Sequence, residues 1–175
     1  MRRTPAPSNS IDDPARAMDA AARLLGFRAR SEHELRTRLQ QKGFTPEAVD
    51  YTLSTLARLG LLDDREFARD WVAMRPGRGP ARLRQELRQK GIHRDVAENV
   101  VDGISAEEEF ASALHVARRA VRARTAAPDP AELLRVRHLL QRRGFSYEVI
   151  GRVLTHLNAH LTADGEWLDE DTPLP

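Results

Sequence analysis

Apolar residues along the chain recur at three- and four-residue spacing, the period of a helix with one buried face. Met18, Ala21, Ala22 and Leu25 share one such face, Leu35 and Leu39 a second, Phe67, Trp71 and Met74 a third, and Phe110, Ala113, Leu114, Ala117 and Val121 a fourth. No strand-length stretch alternates apolar with polar residues. The expectation is therefore an all-α fold.

The pattern also repeats. The segments 38–44, 86–92 and 139–145 align without gaps on Gly43, Gly91 and Gly144, which lie 48 and 53 residues apart. Eight residues before each glycine stands Leu35, Leu83 or Val136, and four before it Leu39, Leu87 or Leu140. A base precedes it directly (Lys42, Lys90, Arg143), and Phe44, Ile92 or Phe145 follows it. Leu53, Val101 and Leu154, then Leu56, Ile104 and Leu157, continue the columns. Glycine adopts the left-handed conformation past a helix cap at least cost, and the apolar residue after it packs back on the last turn. Each column thus reads as a Schellman ending, with the base beside the negative end of the helix dipole.

Helix starts fill in the rest. Asp13-Pro14, the capping box Ser31–Glu34, Thr45-Pro46, Asp63, Gly79-Pro80, Ser105, Asp129-Pro130 and Ser146 are N-terminal signals. Phe44 with Val49, and Leu62 with Phe67, have the spacing of hydrophobic staples. The outcome is nine helices in three triplets, 13–62, 63–104 and 105–159, stacked as an elongated, curved array of three-helix repeats. Residues 1–12 are expected to be disordered, and 160–175 to form an acidic tail.

Composition narrows the chemistry. With no cysteine, disulfides, thiolate metal sites and a cysteine nucleophile are excluded. No apolar run approaches the ~20 residues of a membrane span, and the opening Met1-Arg2-Arg3 lacks the apolar stretch of a secretory signal, so a cytoplasmic location is expected. No Gly-rich phosphate loop, Gly-x-Ser-x-Gly or His-Glu-x-x-His occurs. His156 and His160 have no third ligand nearby, and Glu107, Glu108 and Glu109 read as a first turn complementing the helix dipole. The expectation is a binding protein: not an enzyme, and without cofactor or metal.

Charge says what it binds. The formal net charge is only +2, but residues 163–175 hold five acids and no base, leaving 21 acids against 28 bases in the rest. A basic body attracts polyanions or an acidic protein surface. Between positions 75 and 94 stand Arg75, Arg78, Arg82, Arg84, Arg88, Lys90 and Arg94 against Glu86 alone. Arg82, Glu86 and Lys90 are spaced to satisfy one another along a helix edge, whereas Arg84 and Arg88 share another edge with no acid between them. Arg36, Arg84 and Arg137 occupy one repeat column, and Arg118, Arg119, Arg122 and Arg124 lead toward Arg135, Arg142 and Arg143. The alternative to a binding face is a solvated Arg-rich surface.

Asp63-Asp64-x-x-Phe67-Ala68-x-x-Trp71-Val72, followed by Gly79-Pro80-x-x-Leu83-Arg84-x-Glu86-Leu87-x-x-Lys90-Gly91-Ile92, resembles the central signature of the RecX family. Glu34-Leu35-x-x-x-Leu39-x-x-Lys42-Gly43-Phe44 and Leu140-x-x-Arg143-Gly144-Phe145 agree with its flanking repeats, so the resemblance spans roughly 13–159. It implies a monomeric regulator that lies in the groove of the RecA–single-stranded-DNA filament. Such a regulator would lower ATP hydrolysis, strand exchange and co-protease activity in DNA recombination, repair and the SOS response, and would bind single- and double-stranded DNA directly. The nucleotide in that system belongs to RecA. Two other classes compete: a freestanding DNA-binding transcriptional regulator and a helical scaffold. The trailing helices open Pro46-Glu47, Arg94-Asp95 and Tyr147-Glu148, too acidic for a major groove. A scaffold would not need the Arg84–Arg88 pair.

Overall fold

A computed structural model describes residues 11–121 and 129–159. Among them are nine helices and no strand: α1 Pro14–Phe27, α2 Glu32–Gln41, α3 Pro46–Arg58, α4 Asp64–Ala73, α5 Pro80–Gln89, α6 Arg94–Asp102, α7 Ala106–Ala120, α8 Pro130–Arg142 and α9 Tyr147–Ala159. The all-α class and the three tandem triplets are as the sequence predicts. Residues 1–10, 122–128 and 160–175, and with them Arg122, Arg124, His160 and the acidic tail, lie outside the described residues.

By packing, the chain divides into two compact units, Met1–Trp71 with Leu87–Ala97, and Val72–Glu86 with Glu98–Pro175. In the first unit α1, α2 and α3 close on a core of Ala17, Ala20, Ala21, Leu35, Leu39, Val49, Leu53 and Leu56. In the second, α7, α8 and α9 do so around Ala113, Leu114, Val136, Leu140, Val149, Val153 and Leu157. The repeat columns are the core: Leu35, Leu39, Leu83, Leu87, Val136 and Leu140 are all at most 2% exposed.

The three glycines end α2, α5 and α8 with φ of 88°, 74° and 82°. The Schellman bonds form in each: Phe44 N–H donates to Leu39 O, Ile92 to Leu87 and Phe145 to Leu140, at 3.1–3.3 Å. Gly60 ends α3 in the same way (φ 70°), with Leu61 N–H on Leu56 O, an ending the column alignment does not flag. Capping follows the sequence at Asp13, Thr45, Asp63, Ser105, Asp129 and Ser146, whose side-chain oxygens accept from the first-turn N–H groups.

Three expectations need correction. The Ser31–Glu34 capping box is only half made: Ser31 accepts from Glu34 N–H, but the Glu34 carboxylate turns to Arg28 and Lys90 instead. Ala22 is exposed, because the buried stripe of α1 runs through Ala17, Ala20 and Ala21 with Leu24 partly buried. An alanine-rich helix has too little size contrast to fix its rotation from sequence. Met74 is 74% exposed because α4 stops at Ala73.

Candidate nucleic-acid and partner interface

The glycines have a second task. In the second unit the end of α8 abuts the start of α5: Gly79 N–H donates to Arg143 O at 2.9 Å and Ala81 N–H to Gly144 O at 3.1 Å. A Cβ on Gly79 would stand 2.3 Å from Gly144 O, and one on Gly144 2.4 Å from Arg82 N, so neither position has room for a side chain. In the first unit the end of α5 meets the start of α2. The Ser31 hydroxyl donates to Lys90 O at 2.5 Å, and a Cβ on Gly91 would fall 2.3 Å from His33 Cβ. Acids of the leading helices extend this stapling. Asp64 accepts Glu32 N–H at 2.8 Å and Glu109 accepts Ser146 N–H at 2.7 Å, each capping a different helix from its own.

The loop between α4 and α5 carries Arg75 and Arg78, and it is pinned on both sides. Gly77 (φ 82°, buried) donates its N–H to Ser112 Oγ at 3.0 Å, and its carbonyl accepts from Arg143 Nη1 at 3.1 Å. From this anchored loop Arg75 and Arg78, joined by Arg82 of α5, converge on one carboxylate. Glu86 is only 8% exposed. Its oxygens lie 3.3 Å from Arg75 Nε, 3.6 Å from Arg78 Nε and 3.0 Å from Arg82 Nε. A buried carboxylate must be paired; three guanidiniums around it leave a local charge excess of two.

The other cations of the central segment are more committed than their sequence pattern suggests. Arg84 is paired with Asp102, so the edge it shares with Arg88 does hold an acid, supplied by α6. Lys90 does not reach Glu86. Its Nζ lies 2.7 Å from Glu34 and 4.6 Å over the Trp71 ring, itself stacked on Phe67. Burial opposes ionisation of Glu34, but hydrogen bonds from Arg28 and Lys90 outweigh it and hold the carboxyl at about 2. Arg36 pairs with Glu32 and Asp50. Arg94 lies at the exposed start of α6. Arg88 and Arg137 are exposed, with no ion pair among the described residues.

The third-repeat cluster is partly assembled. Arg119 and Arg143 line a cleft of about 420 Å³ with Pro76, His115, Val116 and Leu139. Arg135 and Arg142 line another of about 340 Å³ with Glu132. Arg118 turns away to His156, 3.3 Å off. Glu107, Glu108 and Glu109 are divided among an ion pair with Arg152, the α7 capping box and the cap on α9. No three His or acidic side chains among the described residues are placed to share a metal, and no described helix is long and apolar enough to cross a membrane.

Sequence reasoning placed the cations and paired Arg82 with Glu86, but missed the distant acids that fix Arg84 and Lys90. Asp102 and Glu34 lie far from their partners in sequence, 18 and 56 residues away. Glu86, the lone acid between positions 75 and 94, was legible, but its further pairing with Arg75 and Arg78 was not.

The fold and this surface define a class: an all-helical repeat protein that carries arginines on its surface, several of them held by acidic partners. The chain belongs to the RecX family. Models of the first, second and third three-helix domains of RecX match residues 17–56, 63–101 and 107–154. The Regulatory protein RecX of Mycobacterium avium is 37% identical over 91% of this chain and 95% of its own length, and that of Thermobifida fusca 33% over 91% and 86%. The crystal structure of RecX from Lactobacillus salivarius shares the fold with a TM-score of 0.75 at 19% identity, covering 82% of this chain and 96% of that one. A second crystal structure of a regulatory protein RecX gives 0.71 at 25% identity, over 80% and 72%.

Proposed function

We propose that this chain is a regulatory protein that binds the RecA–single-stranded-DNA filament. There it lowers the recombinase's ATP hydrolysis, strand exchange and co-protease activity, and so modulates recombination, repair and the SOS response in the cytoplasm. The reading makes it a monomeric binding protein with no catalysis of its own. The observation that carries it is the family membership over nearly the full length, in a chain with all three RecX three-helix domains. The charge distribution supports it: pinned arginines at 75, 78 and 82 and exposed ones at 88 and 137 suit phosphates and carboxylates. The candidate contacts are Arg36, Arg88, Lys90 and Arg94 on the first unit and Arg75, Arg78, Arg82, Arg84 and Arg137 on the second. Among these, Arg36, Arg84 and Lys90 chiefly hold the frame of their own unit through Asp50, Asp102 and Glu34.

The test is recombinase ATP hydrolysis on single-stranded DNA, titrated with this protein. Hydrolysis falling to a low plateau at stoichiometric protein supports the reading. A rate unchanged at saturating protein overturns it.

A further inference from the structure

Three arginines around one buried carboxylate would be ordinary if the carboxylate consumed them. Here the geometry runs otherwise. Glu86 is approached by each guanidinium through Nε, the inner edge of the group. Nε and one terminal nitrogen share the edge nearest the carboxylate, so the second terminal nitrogen of each planar fork is turned from it. For Arg82 one terminal group is on Gln85, 3.0 Å away, and for Arg78 the Nε contact is the ion pair formed. Both side chains remain more than a third exposed, at 37% and 40%, against 11% for the Glu86 side chain. The backbone beneath does not move freely. Gly77 is held by Ser112 and Arg143, and the N–H groups of Gly79 and Ala81 are spent on Arg143 and Gly144. The start of α5 therefore offers an anion few free N–H groups, and an anion here must be held by side chains.

We propose that Glu86 is a positioning residue that presets Arg78 and Arg82 as a clamp for the phosphodiester backbone of single-stranded nucleic acid, with Arg75 as the third cation on the same carboxylate. A guanidinium fork matches two phosphate oxygens, and its rotamer entropy, normally lost on binding, is here already lost in the free protein. The cluster keeps a charge of +2 after Glu86 is counted, enough to hold a phosphate and release counterions. The inference rests on the reading that the chain works on a nucleic-acid filament, and names the part that touches the backbone.

The sign of one substitution separates positioning from plain charge. Glu86→Gln removes a negative charge, so simple electrostatics predicts tighter binding to a polyanion. Loss of positioning predicts weaker binding, by about fivefold, since the clamp side chains must then be ordered on contact. The measurement is fluorescence anisotropy of a labelled oligothymidylate with the full chain across a salt series and no recombinase present. Glu107→Gln, an exposed acid paired with Arg152, removes the same charge elsewhere and should leave affinity equal or slightly raised. Glu86→Gln binding as tightly as wild type, or more tightly, overturns the proposal.

Should Glu86→Gln fail to fold, Arg78→Gln decides, because Arg78 sits on an exposed loop. It should reduce the slope of log affinity against log salt by about one. An unchanged slope and affinity overturns the clamp. So does a variant that keeps DNA affinity and loses affinity for recombinase alone, which would make the cluster a protein-docking face. Because recombinase is absent from the assay, failed filament inhibition together with a positive clamp result would sink only the functional reading above.

Discussion

Substituting alanine for Gly91 tests the claim that the repeat glycine serves both a helix ending and a close approach between helices. Gly60 is the matched control. Both lie in the first unit and both have left-handed backbones, φ 74° and 70°. A Cβ on Gly60 would meet nothing within 4 Å, whereas one on Gly91 would stand 2.3 Å from both Cβ and Cγ of His33. Each alanine pays for the left-handed conformation, about 1–2 kcal/mol, less about 0.4–1 kcal/mol gained by stiffening the unfolded chain. Gly60→Ala should therefore cost about 0–1.6 kcal/mol. In Gly91→Ala the end of α5 must also move from α2. That separates the Ser31 hydroxyl from Lys90 O, worth about 0.5–1.5 kcal/mol, and loosens the part-exposed Lys90–Glu34 pair, worth about 0.2–1 kcal/mol. The total should reach about 1–4 kcal/mol, above Gly60→Ala by the two lost contacts. Urea unfolding followed by far-UV circular dichroism gives both values from the midpoint and slope. Equal losses for the two variants would show that Gly91 is only a helix cap and that the α5–α2 contact adds nothing.

Further outcomes follow from the same contacts. Glu34 titrates at about 2 in the folded chain against an ordinary 4.5, so its contribution is complete above the higher value and is lost as pH falls toward the lower. Glu34→Gln should flatten that part of an acid-stability profile; an unchanged profile would refute the pairing. Glu109→Ala should cost about 1 kcal/mol as the cap on Ser146 N–H, and Glu107→Ala less than about 0.5 kcal/mol as one half of an exposed pair. A reversed order in thermal melts would count against the cross-helix cap. Arg88→Glu should weaken inhibition of recombinase ATP hydrolysis several-fold at unchanged stability. Arg84→Glu, which sets an acid against Asp102, should lower the melting temperature as well. Full inhibition by Arg88→Glu would reduce Arg88 to a solvated side chain.

How far the sequence reaches is clearest at Gly91. Its column, between Leu87 and Ile92, announces a Schellman ending, because that ending is local and only glycine suits it. The second constraint, contact with His33, involves a residue 58 positions earlier, and no periodicity carries it. The same division holds at the capping residues. Asp63 caps its own helix and is legible; Asp64, next to it, caps α2 and is not. At the candidate site the cations were legible by type and spacing. Their states were not, since Arg84 looks unopposed along α5 until the fold brings Asp102 beside it. The rotation of α1 was misjudged at Ala22 because alanines on every face leave little contrast, whereas Leu and Phe fixed the other helices.

The most direct test of the central claim is co-sedimentation of the full chain with recombinase filaments assembled on single-stranded DNA with a slowly hydrolysed ATP analogue. The account predicts that the protein pellets with the filament, saturates at a fixed ratio to recombinase, and pellets less as salt is raised. A protein that stays in the supernatant at every ratio, while the filaments pellet normally, would contradict it.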